Sequence, residues 1–129
     1  MARGVHDLGK AELEVLRALW DLGPANVRGV MEHLHQRGRM VAYTTVQTML
    51  GRLEQKGCVR SDKSGQAFIY RAKVTRERFS RTRLRTLLDQ LYDGAAGALA
   101  VQLLRNERLS QKELDELRKL IDELDPEAQ

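Results

Sequence analysis

The 129-residue sequence predicts a mainly α-helical fold carrying one short β-hairpin. Three observations carry that expectation. Twenty leucines against 5% aromatics favour helix over sheet. Apolar residues recur at three- and four-residue spacing through most of the chain, the mark of amphipathic helices. One stretch, residues 58–71, changes to a strand–turn–strand pattern around Ser64-Gly65, with a β-branched and aromatic second arm.

The elements follow in order. Leu13, Leu16, Leu19 and Trp20 line a first helix over residues 10–22, stopped by Gly23-Pro24. Asn26 is the expected N-cap of a second helix, whose inner face is Val27, Val30, Met31 and Leu34 and which Gly38 follows. Val46, Met49, Leu50 and Leu53 stripe a third helix over residues 43–56, with Gly57 as its stop. The hairpin arms are 58–61 and 67–71. Three short helices and then a hairpin is the layout of a winged helix-turn-helix, assigned to residues 1–74.

Residues 75–129 read as three more helices. The first covers 75–92, with Leu84, Leu87, Leu88 and Leu91 on one stripe, and ends at Asp93-Gly94. The second, 95–107, is rich in Ala and Leu. The third opens at a Ser110/Glu113 capping box, flanked by Leu109 and Leu114 as a hydrophobic staple, and carries Leu114, Leu117, Ile121 and Leu124. Helices this short and leucine-rich need tertiary packing, and a second copy of the chain supplies it in a two-fold dimer. Leu84, Leu87, Leu88, Leu91, Leu103, Leu114, Leu117 and Ile121 are the expected dimer contacts.

Charge divides the chain in the same way. Residues 1–75 carry a net +5, residues 76–88 a net +4 and residues 89–129 a net −5. A basic first part points to a polyanionic partner. The arginine run Arg76, Arg78, Arg81, Arg83 and Arg85 is read mainly as pairing with the acidic last helix of this or a partner chain. The first residues hold no apolar signal stretch, and the longest nearly apolar run, 94–104, is too short to cross a bilayer. One cysteine excludes a disulfide framework and a Cys-based metal cluster. A cytoplasmic protein without membrane insertion is expected.

Opposite the apolar stripe of the third helix fall Thr44, Thr48, Gly51 and Gln55, flanked by Thr45, Gln47 and Arg52. Residues 43–53 contain no acidic residue, unlike an ordinary solvated face. Such a face suits a DNA groove: Thr methyls touch thymine, Gln pairs with adenine, and Arg grips guanine or phosphate. Gly51 costs about 1 kcal/mol relative to Ala in mid-helix, which makes sense where another surface approaches. Arg60, Lys63, Arg71 and Lys73 surround the hairpin tip, and Asn26-Val27-Arg28 offers helix amides and a cation to phosphate. Each is equally compatible with a routine surface pattern or a simple cap.

Catalytic and metal signals are absent, and no cofactor is implied. His33 and His35 point to different sides of a helix, His6 lies in the N-terminal stretch, and Cys58 reads as a small buried hydrophobe. Trp20 reads as core.

These residues resemble the penicillinase-repressor family, the BlaI/MecI/CopY group of bacterial transcription regulators. The resemblance is carried by Leu8-x-x-x-Glu12 with Leu19-Trp20, by Gly23-Pro24, and above all by the block from Ala42 through Tyr43, Thr44, Thr45, Val46, Gln47, Thr48 and Met49 to Leu50. Arg52-Leu53, Lys56-Gly57, the 65–70 segment, Asp93-Gly94, Leu109-Ser110 and Glu113-Leu114 extend it over nearly the whole chain. It implies a DNA-binding winged helix, a C-terminal dimerisation module, and repression at a palindromic operator with TACA/TGTA-like half-sites. It also implies release by proteolysis near Gln102–Leu103, where the family more often has Asn-Phe, by a membrane metalloprotease-type sensor acting in trans. Gln66 stands where the wing usually has Arg, and Gly9 and Asn26 where Thr is common. The Cys-x-Cys pairs of the copper-responsive branch are missing. A dimeric DNA-binding repressor is therefore expected, with Thr44, Thr45, Gln47 and Thr48 at bases, Arg28, Arg52 and Lys63 at phosphates, and Gln66 on the wing at a phosphate or the minor groove. The rival readings are a winged-helix protein-interaction module and a small-molecule-responsive regulator.

Overall fold

The computed structural model describes residues 8–128. Six helices and two strands follow in the order α1 (Lys10–Leu22), α2 (Val27–Gln36), α3 (Tyr43–Gln55), β1 (Val59–Asp62), β2 (Ile69–Ala72), α4 (Arg76–Tyr92), α5 (Ala96–Asn106) and α6 (Gln111–Leu124). A short 3₁₀ turn, Pro126–Ala128, comes last. The chain divides into two compact units, one ending at Thr86 and the other beginning at Leu87, so α4 belongs to both.

The first unit is a winged helix. Leu16 and Leu19 of α1, Val30 of α2, and Val46, Leu50 and Leu53 of α3 are fully buried together with Cys58 and Val59. Their three- and four-residue spacing is what turns each helix inward. Gly23 adopts φ 80°, a backbone that other L-residues rarely enter, and its N–H bonds the Leu19 carbonyl at 2.8 Å to end α1. Asn26 caps α2 as its sequence position implies, accepting from the Gly29 amide at 2.8 Å.

The strands pair antiparallel, with Val59 opposite Ala72 and Ser61 opposite Tyr70 on one face, and Arg60 opposite Arg71 and Asp62 opposite Ile69 on the other. Ala25 adds a one-residue bridge to Tyr70, with N–H to O contacts of 3.1 and 2.8 Å. That bridge ties the wing to the turn before α2.

Glu12 is the one buried charged residue among those described, only 7% exposed. Its carboxylate accepts from the Gly9 amide at 3.0 Å and from Lys56 Nζ at 3.0 Å, linking α1 to the end of α3. Burial by itself would raise its pKa. The Lys56 hydrogen bond, the Gly9 amide and the Lys56 and Arg52 charges outweigh that and hold it below 4.5.

Trp20 lies at the margin of the core, where its Nε1 donates to the Val74 carbonyl at 2.8 Å. Phe79 of α4 packs edge-on against it, 5.4 Å between ring centroids. The Arg76 guanidinium sits 5.5 Å from the Trp20 ring and 2.8 Å from Asp21, which also holds Arg37 at 3.0 Å and His33 at 3.3 Å. Arg76 thus pairs with α1, where the sequence pointed to the acidic last helix. These contacts explain why α4 begins inside the first unit, eleven residues before the second begins. Thr75, whose hydroxyl accepts from the Arg78 amide at 3.1 Å, marks that beginning.

In the second unit the Ser110/Glu113 capping box forms as expected, with reciprocal bonds of 2.9 and 3.1 Å. The Ser110 amide and hydroxyl hold the Glu113 carboxyl below its ordinary range. Neither α5 nor α6 buries a residue within the chain. Among the described residues, no helix is long and apolar enough to cross a membrane.

The Glu12 arrangement predicts an acid limb to stability. Because its pKa is depressed in the folded state, its contribution is complete above 4.5 and fades as the pH falls through the lowered value. Glu12→Gln should cost about 1–3 kcal/mol at pH 7 and flatten that limb in thermal unfolding followed against pH.

Candidate nucleic-acid interface

The outer face of α3 is built by what its inner face buries. With Val46, Leu50 and Leu53 inside, Thr44, Thr45, Gln47, Thr48 and Arg52 are all solvent-exposed along one side of the helix. Ala42, the residue preceding α3, makes no side-chain capping bond, and the first turn holds no acidic residue. An uncapped helix start of this kind has backbone amides ready for an anion. Among the described residues, no atom beyond the neighbouring residues and the local helix backbone lies within 4 Å of where a Gly51 Cβ would stand, so nothing there requires the glycine.

A cleft of about 420 Å³ separates the start of α3 from the wing, lined by Asn26, Val27, Arg28, Tyr43, Gln47, Gln66, Ala67, Phe68 and Tyr70. It brings together Arg28, Gln47 and Gln66, three of the expected interface residues, from three separate elements. Thr44, Thr45, Thr48 and Arg52 lie on the exposed face of α3 outside the cleft lining, and Lys63 lies on the wing. Arg28 Cζ is 6.0 Å from the Tyr43 ring centroid, and Lys63 Nζ is 5.1 Å from that of Phe68.

The wing concentrates positive charge. Arg60 and Arg71 stand directly opposite each other across the strands, a like-charge pairing that disfavours the hairpin in isolation. Asp62 relieves part of this. Its carboxyl is lowered first by hydrogen bonds from Ser64, whose hydroxyl and amide donate at 2.7 and 2.9 Å, and then by the Arg71 and Arg60 charges. A polyanion beside the wing would relieve the rest.

Tyr43 and Phe68 as cleft residues escape a reading of sequence. Helical periodicity sets Tyr43 close to the Leu50 stripe. It is the first residue of α3, however, and helix side chains lean toward the N-terminus, beyond the core. It is 42% exposed and Phe68 47%. The usable signal was scarcity: in a chain with 5% aromatics, two exposed rings on one cleft are unusual.

His33, His35 and Cys58 serve the fold. His35 Nε2 donates to the Val41 carbonyl at 2.8 Å, and His33 joins Asp21. Cys58 is buried, and that burial pushes its thiol pKa up, away from reactivity. His6 lies outside the described residues. No group of three or more potential metal ligands occurs among the described residues.

Of the expected dimer contacts, Leu84, Leu87, Leu91, Leu103 and Ile121 are exposed, Leu114 and Leu117 half-buried, and Leu88 buried within the chain. Leu103 and Leu117 line an apolar groove of about 520 Å³ between α5 and α6. Gln102 and Leu103 both lie exposed within α5.

Gly51→Ala is expected to raise stability by about 0.5–1 kcal/mol, since the space is open and alanine favours helix. Chemical denaturation of both proteins checks it.

The family model for the penicillinase repressor matches residues 8–123. The chain is 28% identical over 119 residues to the penicillinase repressor of Bacillus licheniformis, covering 92% of each protein. It is 26% identical over 121 residues to the methicillin resistance regulatory protein MecI of Mammaliicoccus sciuri, covering 94% of this chain and 98% of that one. A solution structure of the DNA-binding domain of the repressor BlaI is 31% identical, spans 54% of this chain and 84% of that one, and superposes with a TM-score of 0.48. The extent of the family match is decisive: the chain belongs to the penicillinase repressor family.

Proposed function

We propose that the protein is a homodimeric repressor that binds a palindromic operator in double-stranded DNA and acts in the cytoplasm. The observation that carries this reading is the exposed face of α3, free of acidic residues from 43 to 53 and set beside a cleft whose other walls carry Arg28 and the wing. Thr44, Thr45, Gln47 and Thr48 read bases in the major groove. Arg52, Arg28 and Lys63 hold phosphates, with Gln66 at the wing where the family more often has Arg. The exposed leucines of α4 to α6 pair with those of a second copy, so that two readers meet two half-sites. No step of this function requires bond-making by the protein.

Release follows from the same division of labour. Joining two readers makes the second half-site contact intramolecular, which raises apparent affinity by about 10²–10⁴ without a new contact. Cutting the second unit removes that gain and leaves the reading helix folded. Family resemblance directs the cut to Gln102–Leu103, made by a membrane metalloprotease-type sensor. A protease needs extended chain, and α5, which buries no residue, opens at low cost.

On a duplex recovered by the protein from a random-sequence pool, log affinity should fall against log salt with a slope of roughly −5 to −9 if 6–10 phosphates are neutralised. Salt-independent association, or binding to a protein rather than a duplex, would overturn the reading. Arg52→Ala should weaken binding alike on all sequences. Thr48→Ala should relax preference at one position per half-site by about 1–3 kcal/mol. Equal behaviour of the two variants on mutated operators would refute their separate roles.

A chain ending at Thr86 should sediment as a monomer and bind the full palindrome about 10²–10⁴-fold more weakly than the intact protein. A truncated chain that stays dimeric would place the dimer contacts elsewhere.

A further inference from the structure

Several cations of the first unit are neutralised by carboxylates: Arg37 and Arg76 by Asp21, Arg39 by Glu14, Lys56 by Glu12. Arg28 and Lys63 are held differently. Each lies over an aromatic ring, Arg28 at 6.0 Å from the Tyr43 centroid and Lys63 at 5.1 Å from that of Phe68. Among the described residues, neither is within ion-pair distance of a carboxylate. The two rings come from different elements, α3 and the wing, and both line the cleft that also contains Gln47 and Gln66.

The two kinds of support have different consequences. A carboxylate cancels the charge it holds. A ring face attracts the cation through its quadrupole, limits the rotamers of a long side chain and leaves the full positive charge for another anion. The core makes little use of either ring, since each remains close to half exposed. We propose that Tyr43 and Phe68 are positioning residues, whose ring faces hold Arg28 at the cleft and Lys63 on the wing as uncompensated cations, ready for DNA backbone phosphates. The inference rests on the reading of the protein as a duplex binder and adds two neutral residues to its interface.

The salt dependence of binding separates this role from the others open to an exposed aromatic. The full-length chain and its variants are titrated with the duplex that the unaltered chain recovers from a random-sequence pool, over a range of salt. Tyr43→Leu leaves net charge unchanged, yet should lower the salt slope by about 0.9, the value of one lost phosphate contact. Affinity should fall about 2–5-fold, the scale of an exposed cation–ring contact. Tyr43→Phe keeps the ring face and should keep both values. Arg28→Ala should weaken the unaltered chain and add nothing in the Tyr43→Leu background. Phe68→Leu and Lys63→Ala should behave likewise at the other wall, and serve as the test if Tyr43→Leu does not fold.

An unchanged slope with a loss confined to particular bases would show that the ring itself reads sequence. Unchanged slope and affinity would show that it positions nothing. Either result overturns the inference while leaving duplex binding intact. An unaltered chain that binds no duplex in a salt-dependent way overturns the functional reading as well.

Discussion

The complete burial of one stripe of α3 is the constraint on which the interface depends. Val46, Leu50 and Leu53 have almost no accessible surface, so the helix cannot rotate without exposing them. Each buried leucine or valine is worth about 1.5–3 kcal/mol, and turning the helix by a quarter would forfeit several at once. The direction of Thr44, Thr45, Gln47, Thr48 and Arg52 is therefore fixed by groups that never meet a partner. The Glu12–Lys56 pair adds an electrostatic tie at the far end of the same helix.

Charge in the first unit is sorted by the company each side chain keeps. Along α1, Asp21 holds Arg37 and Arg76 and Glu14 holds Arg39, which makes that side electrically quieter. Around the cleft and wing, Arg28, Arg60, Lys63 and Arg71 meet ring faces, one another, or the nearby Asp62. The unit is thus polarised more sharply than its modest net charge suggests. Non-specific attraction of a polyanion depends on such a local field more than on the sum.

The second unit presents the opposite balance. Its last helix is well capped, yet the apolar stripes of α5 and α6 remain largely uncovered within one chain. Capping settles where a helix starts and contributes about 1 kcal/mol, but it cannot replace a buried face. Exposed leucines in this number are a cost in water that association removes. Local opening of α5 is correspondingly cheap, which ties the proposed pairing and the proposed cleavage to one physical property.

Element order, caps and the inward and outward faces of α1 to α3 were legible in the sequence, because each depends on neighbours three or four residues away. Gly23, Asn26, Ser110 and Glu113 act where their positions imply, and the outward-facing residues of α3 follow from the burial of their opposites. The division between the two units was not legible. It falls within α4 because Phe79 and Arg76 reach back to Trp20 and Asp21, more than fifty residues earlier. Nor did the pattern reveal the Ala25–Tyr70 bridge, the Glu12–Lys56 pair, or the cleft that sets Tyr43 and Phe68 beside two cations. Periodicity reports which side of an element faces inward. Which distant side chains meet there is decided only when the helices pack, and that choice created the cleft.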